Sequence, residues 1–358
     1  MATFKKIGVL TSGGDAPGMS ACVKAVVNRA LDMGMEVVGI KGGYAGLING
    51  DLVPMTQQSV SNAVSLGGTF LYSSRCPEFK TKEGIDAAVA TCRKNGIEAL
   101  VCIGGDGTFR GATDMTRAGF PSMGLPGTID NDITATDYTI GLDTSINTTI
   151  GMIDCLRDTC ESHERLNVVE VMGRDCGQIA LYAAISTGAV AVAVPEVPFD
   201  EKAAIEKIAA LRRAGKRGMI VVVSEGMFNP DGTPYAETLA KKIQDETGVE
   251  TKFARFAHIV RGGSPTMKDR TVAAQMAVKA VELLDEGKSD LVMCQIDGKI
   301  VPMDINFALI TDRMYKNKLK EGDLDAFTAE QIEEMKAICQ KRVEEIKELY
   351  KVASNVAF

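Results

Sequence analysis

Short apolar runs alternate with amphipathic stretches along most of the chain. Residues 7–10, 37–40, 99–103, 122–125, 168–172, 191–194 and 219–224 have the length of strands and are rich in Val and Ile. Several are apolar at nearly every position, the pattern of strands covered on both faces. Between them, residues 19–33, 84–95, 144–159, 202–214 and 269–285 read as helices. This alternation predicts the α/β class: two Rossmann-like lobes with mostly parallel sheets covered by helices.

The division expected is an N-terminal lobe over residues 1–136, a second lobe over 137–319 and a helical extension over 320–358, some C-terminal segments returning to the first lobe. The last segment differs in character. Residues 330–351 are dense in Glu and Lys, with Ile332, Met335, Ile338, Val343, Ile346 and Leu349 near helical spacing. Thr328 and Gln331 form a capping box in front of them. The prediction is a long amphipathic helix, set either on its own domain or against another subunit. In either case it is expected to lie apart from any active site.

Composition narrows the function classes. The 358 residues suffice for two or three domains. Apolar residues are 45% and charged residues 24%, which is globular rather than disordered. A net charge of −7 argues against nucleic acid as a partner. No apolar run is long enough to span a membrane, and the chain starts directly on a strand pattern, without a signal peptide. Nine cysteines, scattered and without C-x-x-C spacing, suggest neither a disulfide framework nor a zinc site. A reduced, cytoplasmic location follows as the expectation.

The 36 glycines gather at strand ends. Thr11 to Gly18 (TSGGDAPG) follows the first strand and precedes a helix. Glycine there lets backbone N–H groups face a pocket, and the helix N-terminus favours an anion. A plain strand-to-helix turn would look the same. Gly104 to Thr108 (GGDGT) repeats the arrangement after residues 99–103, and its Asp106 is suited to Mg²⁺ while backbone cradles phosphates. Pro126 to Asp132 (PGTIDND) follows a third strand. In extended chain Asp130 and Asp132 would point to one side, where one carboxylate can accept a hydroxyl proton while the other helps hold a metal. An Asx-rich turn is the plainer reading. Arg75, Arg165, Arg174, Arg261 and His258 lie near glycines or strand ends, and arginine suits phosphate through its planar fork.

TSGGDAPG, GGDGT, PGTIDND, VVEVMGR and HIVRGGSP, in this order over roughly residues 5–275, together resemble bacterial-type ATP-dependent 6-phosphofructokinases. The resemblance implies a two-lobed subunit in a homotetramer, with ATP and fructose 6-phosphate meeting between the lobes and Mg²⁺ as cofactor. It puts Gly13, Tyr44, Arg75, Cys76, Phe79, Gly105, Asp106, Gly107 and Thr108 around ATP, and Asp106 and Asp132 near the metal. Asp130 matches the general base, with Thr128, Arg75 and Arg174 beside the transferred group. Ile129, Met172, Gly173, Arg174, Glu225, His258 and Arg261 match sugar-phosphate contacts. Arg165 matches a residue lent by a neighbouring subunit, and its companion position holds Lys252 where arginine is usual.

Two departures bear on regulation and donor. At the family's effector pocket the matching positions are Lys24, Asn28, Gln57, Arg157, Lys216 and Val190, so two arginines have become amides, one has become lysine and a carboxylate has become aliphatic. Weak response to ADP and phosphoenolpyruvate follows. The pyrophosphate-using branch typically has aspartate at position 107 and lysine at 127; here both are glycine, which favours ATP. A NAD kinase would share GGDGT alone. A silent sugar-phosphate-binding subunit would have no reason to keep Asp130.

Overall fold

The computed structural model describes residues 3–356. In chain order the elements begin Lys6–Ser12 (β1), Met19–Asp32 (α1), Glu36–Ile40 (β2), Gly43–Asn49 (α2), Leu52–Met55 (β3) and Lys82–Lys94 (α3). Ala99–Gly104 (β4), Asp106–Arg117 (α4), Ser122–Pro126 (β5), Leu142–His163 (α5), Leu166–Val171 (β6) and Gln178–Thr187 (α6) follow. Next come Ala191–Ala193 (β7), Glu201–Arg213 (α7), Met219–Ser224 (β8), Tyr235–Thr247 (α8), Thr251–Arg255 (β9) and Met267–Asp285 (α9). Leu291–Ile296 (β10), Lys299–Asp304 (β11), Ile305–Tyr315 (α10) and Ala329–Val356 (α11) complete them.

The chain divides into two compact units. One comprises the chain up to Ile129 together with Ile133–Thr144 and Arg261–Cys339; the other comprises Asp130–Asp132, Ser145–Val260 and the chain from Gln340. Boundaries at 136 and 319 therefore give way to a discontinuous division. The reason is strand pairing: β10 joins the first sheet in parallel beside β5, which draws the segment after 261 back to it.

The first unit holds a seven-stranded sheet in the order β11-β10-β5-β4-β1-β2-β3. Its five central strands are parallel and the outer two antiparallel. Because β2 lies on one side of β1 and β4 on the other, the strand order reverses at β1/β4. Ligands of open α/β sheets bind outside the carboxyl ends of such a pair. The second unit is a parallel sheet in the order β7-β8-β6-β9. β4 and β8 are buried at every position, as their nearly unbroken apolar runs require, and β6 is buried throughout although it carries Asn167 and Glu170. Strand β6 starts and ends slightly earlier than the sequence predicts. The short or mixed strands β3, β9 and β11 carried no such run, and β10 was not predicted although residues 291–294 are all apolar.

Helix α11 opens with the expected capping box: Thr328 N–H donates to Gln331 Oε1 at 2.9 Å and Gln331 N–H to Thr328 Oγ1 at 3.2 Å. Its first turns place Met335 in an apolar cluster with Phe307 and Ile310. Further along, the buried stripe departs from expectation. Arg342 and Ile346 are buried, whereas Val343 is only half-buried.

Candidate active site

The carboxyl ends of β1 and β4 are held together closely. Ser12 pairs with Gly104 across the strands. Thr108 Oγ1 donates to the Ser12 carbonyl at 3.0 Å. A Cβ at Gly104 would strike both that carbonyl and Thr108, so only glycine fits. Gly13 adopts φ 84°, and its carbonyl accepts from Ser73 Oγ at 2.5 Å. On the Cβ side of Gly107 lies open space, with nothing within 4 Å. Gly127 is different: a Cβ there would stand 3.1 Å from Ile103 and 3.2 Å from Met19.

Asp106 starts α4, with its carboxylate 2.5 Å from Arg110 one turn on and 20% exposed. No three His, Cys, Asp or Glu side chains converge into a metal cage among the described residues. A lone carboxylate at a glycine loop fits Mg²⁺, which keeps its waters and takes substrate phosphate oxygens rather than an all-protein shell. Arg75 is exposed, two residues after Ser73, whose hydroxyl donates to the Gly13 carbonyl. Cys76 is half-buried and its thiol sits 3.6 Å from Glu78, with burial pushing its pKa up.

Tyr44 and Phe79 are placed differently from what a nucleotide base would require. Their rings stack on each other at 4.0 Å and are 4% and 5% exposed. The Tyr44 hydroxyl donates to the Thr108 carbonyl at 2.7 Å. These aromatic side chains therefore support α4 from the core and offer little ring face to a ligand.

Arg261 belongs to the first unit, and His258, three residues earlier, to the second. Its guanidinium lies over Gly14 and donates to the Asp15 carbonyl at 3.2 Å, so it braces the loop after β1.

In the second unit Asp130, Asn131 and Asp132 are buried. The segment is not extended as the two-residue spacing suggested. Asn131 has φ 49°, and Ile129 and Asp130 form a turn. Asparagine tolerates this left-handed conformation better than other non-glycine residues. Arg174 Nη1 stands 3.3 Å from Asp132 Oδ2. Arg174 itself has φ 53°, following Gly173 at 142°, and the N–H groups of both donate to Glu225 Oε1, at 2.9 and 3.2 Å. Glu225 thus fixes the MGR turn at the end of β6. Met172 beside it is buried, while His258 is exposed on a short 3-10 helix. Thr128 and Ile129 are buried at the end of the first unit's contribution.

Arg165 and Lys252 share one carboxylate: Glu250 is 2.9 Å from the first and 3.0 Å from the second. The Arg165 hydrogen bond, then Lys252, hold the Glu250 carboxyl below its ordinary value. Arg255 is on the other face of β9 and pairs with Glu170 at 2.5 Å.

Sequence reasoning missed Glu250, Gln178, Asp269 and Arg342. Asn131 Nδ2 donates to Gln178 Oε1 at 2.5 Å, and Arg342 Nη2 donates to the Asn131 carbonyl at 3.0 Å. The second bond corrects the expectation that the C-terminal helix lies apart from the site. For Arg342 a signal existed: it falls seven residues after Met335 and four before Ile346, on the buried stripe.

Among cations expected near an effector, Lys24 Nζ donates to the Val60 carbonyl at 3.0 Å and to the Ser61 carbonyl. Arg157 donates to the carbonyls of Gly218 and Thr187, and Val190 is buried.

Comparison with known proteins agrees with this geometry. The family profile described as phosphofructokinase matches residues 6–284, more than half the chain. The ATP-dependent 6-phosphofructokinase 1 of Clostridium perfringens is 50% identical over 318 residues, covering 89% of this chain and 98% of that protein. The ATP-dependent 6-phosphofructokinase of Clostridium botulinum is 48% identical over 316 residues, covering 88% and 97%. The crystal structure of Pichia pastoris phosphofructokinase in the T-state superposes with a TM-score of 0.85 at 30% identity, covering 99% of this chain. This chain spans only 39% of that larger one.

Proposed function

The chain belongs to the phosphofructokinase family, and on that premise we propose that it transfers the γ-phosphoryl group of ATP to O1 of fructose 6-phosphate, giving fructose 1,6-bisphosphate and ADP. The bond between the γ-phosphorus and the β,γ-bridging oxygen breaks, a bond from O1 forms, and Asp130 takes the O1 proton. Backbone N–H groups of the loops after β1 and β4 receive the donor phosphates. Arg75 and Arg174 meet the charge that develops on the equatorial oxygens. Gly173, Glu225, His258 and Met172 bind the sugar phosphate with Arg174.

Asp106 would hold Mg²⁺, Asp132 is the second carboxylate assigned to it, and the ion would supply charge neutralisation on the phosphate oxygens. Arg165 and Lys252 reach the sugar phosphate of a neighbouring subunit in a homotetramer, with Glu250 keeping both side chains ordered until it is engaged. No helix among the described residues is long and apolar enough to cross a membrane.

The observation that carries the choice of donor is the surroundings of Gly107 and Gly127. Open space at Gly107 leaves room for an α-phosphate, and close packing at Gly127 leaves little for a lysine stem. Steady-state assay of the purified protein with fructose 6-phosphate and each donor tests this. ATP is expected to give the higher kcat/KM, and a higher value with pyrophosphate would overturn the reading.

A further inference from the structure

Arg342 is 5% exposed. A guanidinium cannot shed its charge, so burial at that depth persists only where hydrogen bonds and opposite charge offset desolvation. Its Nη2 donates to the Asn131 carbonyl at 3.0 Å, and its Nη1 lies 3.6 Å from Glu345 on the same helix.

The acceptor is the middle residue of Asp130–Asn131–Asp132. Asn131 is fully buried with φ 49°, and such left-handed backbone persists when its surroundings over-determine it. Two long-range bonds do so here: Gln178 from α6 takes the side-chain amide, and Arg342 from α11 holds the carbonyl. That carbonyl belongs to the peptide linking Asn131 to Asp132. Its orientation therefore governs how the two flanking carboxylates project.

We propose that Arg342 is a positioning residue for phosphoryl transfer, acting through the backbone of Asn131 on Asp130 and Asp132. The proposal rests on the assignment of Asp130 as base. It gives a role in the chemistry to α11, which lies outside residues 6–284 matched by the family profile.

The test compares Arg342→Ala, Arg342→Lys, Ile346→Ala and Asp130→Ser in the full chain, each checked for folding and oligomeric state. Displacement of reacting groups by about 1 Å can lower turnover about a hundredfold. Arg342→Ala is expected to lower kcat about ten- to a hundredfold, with the KM for ATP within about twofold, and Arg342→Lys to recover part of that loss. Ile346 is buried one turn beyond Arg342 on the same helix, and its aliphatic side chain has no hydrogen bond to offer the turn. Its truncation should lower Tm while kcat stays within about twofold of the parent.

If Arg342→Ala does not fold, Arg342→Lys carries the comparison. Unchanged kcat in folded arginine variants, with Asp130→Ser inactive, overturns the proposal and leaves the base assignment standing. Equal loss of kcat in Ile346→Ala also overturns it, because the effect is then one of helix stability. Retained turnover in Asp130→Ser overturns both.

Discussion

Asp269, in the first turn of α9, accepts the phenolic proton of Tyr138 at 2.5 Å. The same carboxylate accepts from Gly141 N–H at 2.6 Å, Thr144 N–H at 2.9 Å and the Thr144 hydroxyl. Thr139, next to Tyr138, donates to the Thr128 carbonyl at 2.6 Å. A buried acid thereby holds the loop on which Thr128 leans.

Asp269→Asn is predicted to destabilise the protein. All four partners donate, and an amide turns two of its own hydrogens toward them. Unsatisfied buried donors cost about 1–3 kcal/mol each, so the loss should be about 2–5 kcal/mol in urea titration. Burial lifts the Asp269 carboxyl above its ordinary value. A raised acid contributes its stability below the unfolded pKa and loses it as pH climbs through the folded one. The advantage of the parent over Asp269→Asn should therefore be larger in mild acid than at neutrality. An advantage that grows toward neutrality would contradict this.

Asp130→Ser should reduce turnover about a hundred- to ten-thousandfold, the usual contribution of a positioned base, while calorimetric binding of fructose 6-phosphate stays within about threefold. Turnover comparable to the parent would remove Asp130 from the role.

Gly107→Asp offers a variant that should fold. Its side chain enters open space, so Tm is expected within about 2 °C of the parent. A carboxylate there repels the α-phosphate, and kcat/KM for ATP should fall at least about tenfold. An unchanged kcat/KM would show that no phosphate lies beside that position.

Regulation by ADP should be weak. Lys24 and Arg157 already donate to backbone carbonyls, and Val190 gives a nucleotide's magnesium no ligand. Fructose 6-phosphate saturation with and without ADP should differ by less than about twofold in half-saturation, since each lost charge-assisted bond weakens phosphate binding by about 1.5–3 kcal/mol. A several-fold shift at ADP concentrations too low to compete with ATP would count against this.

Glu250→Gln should loosen Arg165 and Lys252, which it now pairs. The KM for fructose 6-phosphate is expected to change by about two- to fivefold with kcat held, because an exposed ion pair acts through side-chain order rather than large energies. A fall in kcat with KM unchanged would refute a role in substrate binding.

The strands buried on both faces announce themselves, since β4 and β8 are apolar almost throughout. The glycine loops after β1 and β4 are equally visible, and at Gly104 the close contacts admit no other residue. Residues that act across long separations were hidden. Nothing local to Asp269 or Gln178 reveals that their partners lie 131 and 47 positions away. Lys252 and Arg255 could be assigned to opposite faces of β9 from spacing, but their partners Glu250 and Glu170 could not. Tyr44 and Phe79 mislead for another reason: aromatic residues near a phosphate loop serve a core as readily as a base, and here they stack on each other.

The discontinuous division of the chain also sets an order of assembly. During synthesis, Ser145–Val260 emerges whole and can close its four-stranded sheet at once. Strand β5 must meanwhile leave one side of its ladder unmatched until β10 leaves the ribosome, more than 160 residues after it. The N-terminal segment, translated first, is thus completed late. Its open edge is where a nascent chain of this enzyme most needs a chaperone.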